Sequence, residues 1–441
     1  MVLKRIKKAV LFTRLFGYVL RLYVSFLGRT VSVRLAGLTT RTSSPPVDPS
    51  EVKNIVVVGA AFAGYFAART LAWSLPRDGR YRVVVIEPNS HFNFTWVLPR
   101  FCVVEGHEHK AFIPYTPDFF AKGPKGMVRW IRDRVVSVRR ESVVLRSGEE
   151  VPYEYLIIAT GSTVADGLPS RVGVEDKEGG VELLRAMQAR IKGADHVVVA
   201  GGGAAGVELA TDAKNQYPDK CITLVHSRGA VMHRFGPGLQ KAAMDALQTL
   251  GVDVILNEKA DPTSADGKFI TLSSGRKIEC DCFKPASGLI TELAPEAISP
   301  SGHIRVKPTL QIDADFPNIY VCGDVADTKA PNPNSRIAAR QAEIAADNVV
   351  LAVRGKKPRY TYKTQWGDGV IKLTLGLVST CTLMGWRLLT ESLHERSVTQ
   401  FWDGEEELLF HGKETDLALM CDGAWTSVAA KPFEDTGVYS G

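Results

Sequence analysis

Residues Val197–Ala210 read VVVAGGGAAGVELA. An apolar run enters Gly201, Gly202 and Gly203, and helix-forming residues follow Gly206 directly. This order predicts a buried parallel strand, a glycine turn and a helix N-terminus. In such a turn Gly201 bends the backbone, Gly203 leaves room for a pyrophosphate, and Gly206 lets helix and strand close up. The open N–H groups and the positive helix end then favour an anion. A helix-packing turn without ligand has the same spacing, so the rest of the chain must decide.

A second such pattern precedes it. Ile55–Val58 predicts a buried strand, Gly59-Ala-Ala-Phe-Ala-Gly64 the turn, and Tyr65–Leu75 a helix. The next strand, Tyr81–Ile86, ends in Glu87, where a ribose-binding carboxylate is expected. Ala61 stands where the second glycine belongs, and its methyl is small enough to keep a phosphate close. In the Val197 unit the matching strand, Ile222–Val225, ends in His226, Ser227 and Arg228. A carboxylate there pairs with a ribose 2′-OH, whereas His226 and Arg228 suit a 2′-phosphate, so NADPH is favoured over NADH. Arg228 as a solvated loop charge is the plain alternative.

Between the two units, His91–Phe101 (HFNFTWVLPRF) is aromatic and packs against something flat or against the core. Arg100 within it is a surface charge or a partner for flavin or phosphate. Val135–Leu145 and Val151–Ile158 read as strands, the latter running through Tyr155-Leu-Ile-Ile-Ala-Thr-Gly161 into a tight turn. A helical run spans Gly180–Ile191. After the second unit come a helix over 237–250, a strand Val252–Leu256 and strands Phe269–Leu272 and Lys277–Ile278. Phe283–Gly288 then leads back toward the first domain. Ile319-Tyr-Val-Cys-Gly-Asp324 is a strand ending in an acid. Asp324 would bond the hydroxyls of a flavin's ribityl chain or cap the following helix. Arg359–Gly441 has short alternating runs and reads as a third, sheet-and-interface domain. The fold class is therefore α/β, with two Rossmann-like units and a small C-terminal α+β domain.

The chain's 441 residues allow two or three domains, and 45% hydrophobic with 23% charged residues is a globular balance. Nine basic residues and no acid fall within 1–41; removing those charges from the net +6 leaves −3 for the rest. A mildly acidic body is a poor nucleic-acid surface. Lys7, Arg14 and Arg21 recur every seven residues, among Leu11, Phe12, Leu15, Phe16, Val19 and Leu20. The stretch fits a mitochondrial import leader or a helix lying in a membrane interface. A spanning helix is disfavoured by Arg14 and Arg21. Seven scattered cysteines include no C-x-x-C, so no dithiol of that type and no zinc site is expected, and the histidines suggest no metal.

Gly59–Gly64, Ile158-Ala-Thr-Gly-Ser-Thr163, Val197–Arg228 and Ser301–Asp327 together resemble the two-dinucleotide-binding-domain flavoproteins. More narrowly, they resemble the apoptosis-inducing-factor-like branch that includes the ferroptosis suppressor quinone reductases. The resemblance covers roughly residues 53–350. It implies an FAD domain split over 51–165 and 283–358, an inserted NAD(P)H domain at 166–282 and a C-terminal interface domain at 359–441, behind a leader at 1–44. It places Gly59, Ala60, Ala61, Phe62, Ala63 and Gly64 along the FAD pyrophosphate, with Arg100 at the flavin, Val135 at the adenine and Thr160, Gly161 and Asp324 beside them. Gly201, Gly203, Gly206, His226 and Arg228 fall to NAD(P)H. The implied activity is hydride transfer from NAD(P)H to FAD, then electron transfer to a quinone at a membrane, with no protein acid–base residue named. A flavoprotein of a biosynthetic pathway and a death-signalling factor are the alternatives. A homodimer is compatible with the resemblance.

Overall fold

The structure is a computed structural model. It describes residues 2–35, 48, 51–116, 126–162, 168–261, 269–279, 294–330, 332–377, 397–402, 407–412, 416–419 and 421–435. Phe283–Gly288, Cys280 and Cys282 lie outside the described residues.

The chain opens with α1 (Val2–Arg29), which continues as a wider π-type turn over Thr30–Leu35. The first glycine unit follows as β1 (Lys53–Val58), α2 (Phe62–Ser74) and β2 (Tyr81–Ile86). Next come the short helix α3 (Leu98–Phe101) and the strands β3 (Val128–Ile131) and β4 (Tyr155–Ile158). Helix α4 (Lys177–Gly193) leads into the second unit, β5 (His196–Ala200), α5 (Ala204–Gln216) and β6 (Cys221–His226). That unit closes with α6 (Pro237–Leu250) and β7 (Asp253–Leu256). Then β8 (Ile319–Val321) and α7 (Ser335–Val353) return to the first sheet. The C-terminal part holds β9 (Ile371–Thr374), β10 (Ser397–Trp402), β11 (Glu407–Gly412) and α8 (Cys421–Ser427).

The first sheet is parallel, in the order β8-β4-β1-β2-β3. Its central strands are apolar on nearly every residue because both faces are covered. Ile55, Val57, Val83 and Val85 face a cluster that includes Ala67 and Leu71 of α2 and Ala342 and Ala345 of α7. Val56, Val58, Val84 and Ile86 face a second cluster with Val143, Leu145, Ile304 and Ile312. Helices α2 and α7 lie side by side. The second unit has its own parallel sheet, β5-β6-β7, and β9-β10-β11 form an antiparallel one. Glu407 accepts hydrogen bonds from the N–H groups of Gly238 (2.6 Å) and Leu239 (2.8 Å), fixing β11 on the positive end of α6.

Two strands expected to be continuous are each broken. Val135–Val138 and Ser142–Leu145 form a hairpin, and Glu150–Pro152 adds a third strand to it before the chain crosses into β4. The break is set by Tyr153, whose hydroxyl donates to the Arg139 carbonyl at 2.6 Å. Val151, Tyr153 and Tyr155 keep the alternation across the second break, so periodicity alone does not mark where the chain changes sheets there, whereas Arg139-Arg140-Glu141 interrupt it at the first.

Helix α1 is docked along one face. Leu11 and Val33 are buried, Tyr18 donates to Asp368 Oδ1 (2.9 Å), and Arg29 pairs with Glu343 (3.0 Å) and Asp347 (3.5 Å) of α7. The opposite face is apolar and open: Phe16 is 70% exposed, with Tyr23, Val24 and Val31 exposed alongside. Despite Arg14 and Arg21, Ala9–Val33 is long and apolar enough to cross a membrane.

Candidate functional site

Both glycine turns have one backbone plan. Gly59 and Gly201 sit at φ +95° and +114°, a left-handed region that favours glycine. Each donates its N–H to the neighbouring strand, Gly59 to the Ile86 carbonyl and Gly201 to that of Val225, both at 2.8 Å. A Cβ on Gly64 would lie 1.8 Å from the Gly59 carbonyl oxygen, and one on Gly206 would lie 1.9 Å from that of Gly201. The last glycine of each turn therefore lets the helix close on its strand.

The middle position is different. Ala61 and Gly203 cap α2 and α5 in extended backbone, at φ −73° and −83°, which alanine adopts without strain. Neither helix has a side-chain cap, so first-turn N–H groups are left for an anion. A Cβ on Gly203 or on Gly161 would meet nothing within 4 Å among the described residues. The two turns fit a dinucleotide pyrophosphate.

The residues at the ends of β2 and β6 distinguish the two turns. The Glu87 carboxylate accepts from Ala60 N–H (2.7 Å) and Asn89 N–H (2.9 Å). Burial pushes the Glu87 acid up, and those two N–H groups pull it back. His226 Nδ1 accepts from Gly202 N–H at 3.0 Å, and its Nε2 lies 3.2 Å from His233 Nδ1. Accepting at Nδ1 puts the neutral ring's proton on Nε2. Burial holds the His226 imidazole below the ordinary histidine range, and His233 and Arg228 push it the same way. The ring lies against the turn: a Cβ on Gly202 would come within 2.8 Å of His226 Cγ. His226 is buried and Arg228 is exposed at the strand end.

Asp324 does not cap α7. Asn334 does so, accepting from the N–H groups of Arg336 and Ile337 at 3.1 Å each. The Asp324 carboxylate instead pairs with Arg171 (3.1 Å), which also reaches Ser162 Oγ (3.0 Å). Gly323 N–H, one residue earlier, donates to Gln341 of α7 at 2.9 Å. Thr160 is exposed and Gly161 has φ +70°, at the end of β4 beside Gly59. Val135 lies at the edge of the hairpin, partly buried.

Arg100 is neither a surface charge nor a free cation. Its Nε donates to Asp212 (3.0 Å) and its Nη2 to the Gly376 carbonyl (3.3 Å), while Nη1 is buried with no hydrogen-bond partner among the described residues. Removing either member of such a buried pair alone costs about 3–5 kcal/mol. One turn before Asp212, Glu208 accepts from Thr374 N–H and Oγ1 at 3.0 Å each. Burial pushes the Glu208 carboxyl up to about 7, against those two donors. Asn215 adds a bond from Leu377 N–H at 2.9 Å. One face of α5 thus binds α3, the end of β9 and the segment after it. Sequence reasoning misses Glu208, Asp212, Arg171 and His233. The i, i+4 acids on α5 are the available signal, with partners more than a hundred residues away.

A family model described as pyridine nucleotide-disulphide oxidoreductase matches residues 53–342. "Fe-regulated protein 8" of Mycosarcoma maydis is 36% identical over 330 residues, covering 70% of this chain and 82% of that protein. "Ferroptosis suppressor protein 1" of Homo sapiens is 28% identical over 326 residues, covering 70% and 83%. The sulfide:quinone oxidoreductase structure from Aquifex aeolicus superposes with a TM-score of 0.60 at 16% identity, over 85% of this chain and 90% of that one, a likeness of fold.

Proposed function

The chain belongs to the pyridine nucleotide-disulphide oxidoreductase family and is an FAD-dependent NAD(P)H oxidoreductase; from that premise we propose that it delivers electrons to a quinone-type acceptor at a membrane surface. The observation that carries this reading is α1. One face is tied to the body through Tyr18 and Arg29, while the opposite face exposes Phe16, Tyr23, Val24 and Val31 to whatever lies outside. A helix docked on one side and apolar on the other suits a bilayer interface, with Arg14 and Arg21 close to lipid headgroups. A basic, acid-free leader of this kind also suits a mitochondrial membrane.

Bound FAD supplies hydride acceptance from the nicotinamide and release of electrons to a second acceptor. The protein's part is placement. The turn Gly59–Gly64 with Glu87 would hold FAD, Thr160, Gly161 and Asp324 would line it, and Gly201–Gly206 would hold the coenzyme. Residues 51–165 and 283–358 would then form the FAD domain, with 166–282 inserted between them and 359–441 as the interface domain. Because His226 is engaged by Gly202 and His233, a 2′-phosphate would meet Arg228 and His233 first, which favours NADPH. The cysteines favour a direct path to a diffusible acceptor. The sequence has no C-x-x-C, and burial pushes the Cys322 and Cys421 thiols up to about 12, where neither is a useful thiolate.

The full chain is expected to reduce a short-tailed ubiquinone with NADPH and to float with anionic liposomes. A Phe16→Asp, Val24→Asp variant should stay in the soluble fraction with its flavin still bleached by NADPH. Bleaching without quinone turnover would overturn the acceptor, and flotation of the double variant would overturn the role of α1.

A further inference from the structure

We infer that a cavity beside the seat of α1 holds the apolar tail of the membrane-borne acceptor. The inference rests on the quinone reading and adds where the tail goes. The cavity measures about 400 Å³, within the range of small-molecule pockets, roughly 300–1,000 Å³. One wall is a stripe of α2: Phe62, Tyr65 and Phe66, at i, i+3 and i+4. Phe92 and Phe94 form the adjoining wall, with Phe62 and Phe92 packed edge to face at 4.8 Å. The first two turns of α7 close a third side through Ala339, and Ser427 of α8 closes the fourth.

Two arginines reach this lining, and both are occupied by the protein. Arg69 donates to the Tyr65 hydroxyl at 2.9 Å and lies over that ring. Arg336 donates to the Val370 carbonyl. Both arginines keep their charge, but each is held at the margin by a protein acceptor, and the rest of the lining is mainly rings and hydrocarbon, five of the thirteen residues being Phe or Tyr. Its favoured occupant is apolar, because such a lining is stabilised by apolar surface leaving water.

The position of the cavity selects which apolar group that is. It abuts the FAD turn, since Phe62 follows Ala61 directly. It also abuts the seat of α1. Ala339 lines the cavity, and the next residue, Arg340, pairs with Asp368 (2.6 Å), which accepts the Tyr18 hydroxyl. Glu343 and Asp347, one and two turns further along α7, hold Arg29. The cavity therefore lies between the helix proposed to meet lipid and the turn proposed to hold FAD. An isoprenoid or acyl tail entering from the bilayer passes along this side of α7.

The test compares two acceptors on the holoenzyme: a ubiquinone with a long isoprenoid tail in vesicles, and a tailless benzoquinone in solution. Filling the cavity with Ala339→Trp should lower kcat/KM for the long-tailed acceptor about tenfold or more. The rate with the tailless acceptor and the NADPH bleaching rate should stay within about twofold of wild type. Ser427→Phe narrows the opposite wall and should give the same split if Ala339→Trp does not fold. Equal losses on both acceptors, or no loss on either, would overturn the tail assignment while leaving the quinone reading intact. If wild type reduces neither quinone, both readings fall together.

Discussion

At the first turn a carboxylate, Glu87, accepts the N–H of Ala60; at the second an imidazole, His226, accepts the equivalent N–H from Gly202. This one exchange explains the residues around it. The slim carboxylate leaves room for the methyl of Ala60, whereas the ring over Gly202 excludes any Cβ. The same pairing runs on into the helices. Two residues past the last glycine, α2 has Phe66 and α5 has Glu208; four further on, they have Thr70 and Asp212. Helix α2 therefore gives an aromatic ring to a cavity, and α5 gives two buried acids to a network with Arg100 and Thr374. A shared backbone plan gives the two turns the same shape. The side chains around it fix what else each helix touches.

The strongest way to break this comparison is to close one turn at a time. Gly64→Ala and Gly206→Ala each drive a methyl into a carbonyl oxygen. Gly64→Ala should yield colourless protein. Gly206→Ala should keep a yellow flavin spectrum that NADPH no longer bleaches. If both lost FAD together, the turns would not be independent sites.

A smaller change exchanges the acceptors. His226→Glu keeps a partner for Gly202 N–H while placing a carboxylate next to His233 and Arg228, the groups proposed to meet a 2′-phosphate. The ratio of kcat/KM for NADPH over NADH should fall at least tenfold, about 1.4 kcal/mol or more. An unchanged ratio would remove the strand end from coenzyme choice.

The last test reads stability and leaves turnover aside, at Glu208. Its folded acid is raised from 4.5 to about 7, so between those pH values the folded chain keeps a proton that the unfolded chain releases. Stability is therefore lost as pH rises through that window, by on the order of 3 kcal/mol. Glu208→Gln, which still accepts from Thr374, should remove that loss. Its melting temperature relative to wild type should rise from pH 5 to pH 8, and a constant difference would show that Glu208 does not titrate there.

Much of this is legible in the chain itself. Unbroken valine runs mark strands buried on both faces, and glycines at fixed spacing mark turns where a Cβ has no room. The acid after β2 and the histidine at the end of β6 are also local, because strand end and turn are neighbours in any such unit. Residues whose partners are remote are not legible. Arg100 reads equally as a flavin or surface cation; that it is buried against Asp212 and Gly376, 112 and 276 residues away, is visible only in the fold. Asp324 looks like a helix cap, but Asn334 stands closer to the first turn of α7. The composition of α1 gives its basic, apolar character; which face meets the body depends on Asp368, Glu343 and Asp347 being brought beneath it.

Sequence alone therefore determined the two glycine turns and the strands that carry them, since steric exclusion and burial act over a few neighbouring residues. Tertiary structure alone decided which charges are spent, which helix faces stay open and where a cavity forms. Those depend on groups far apart in the chain arriving within hydrogen-bonding distance, and no local pattern encodes that.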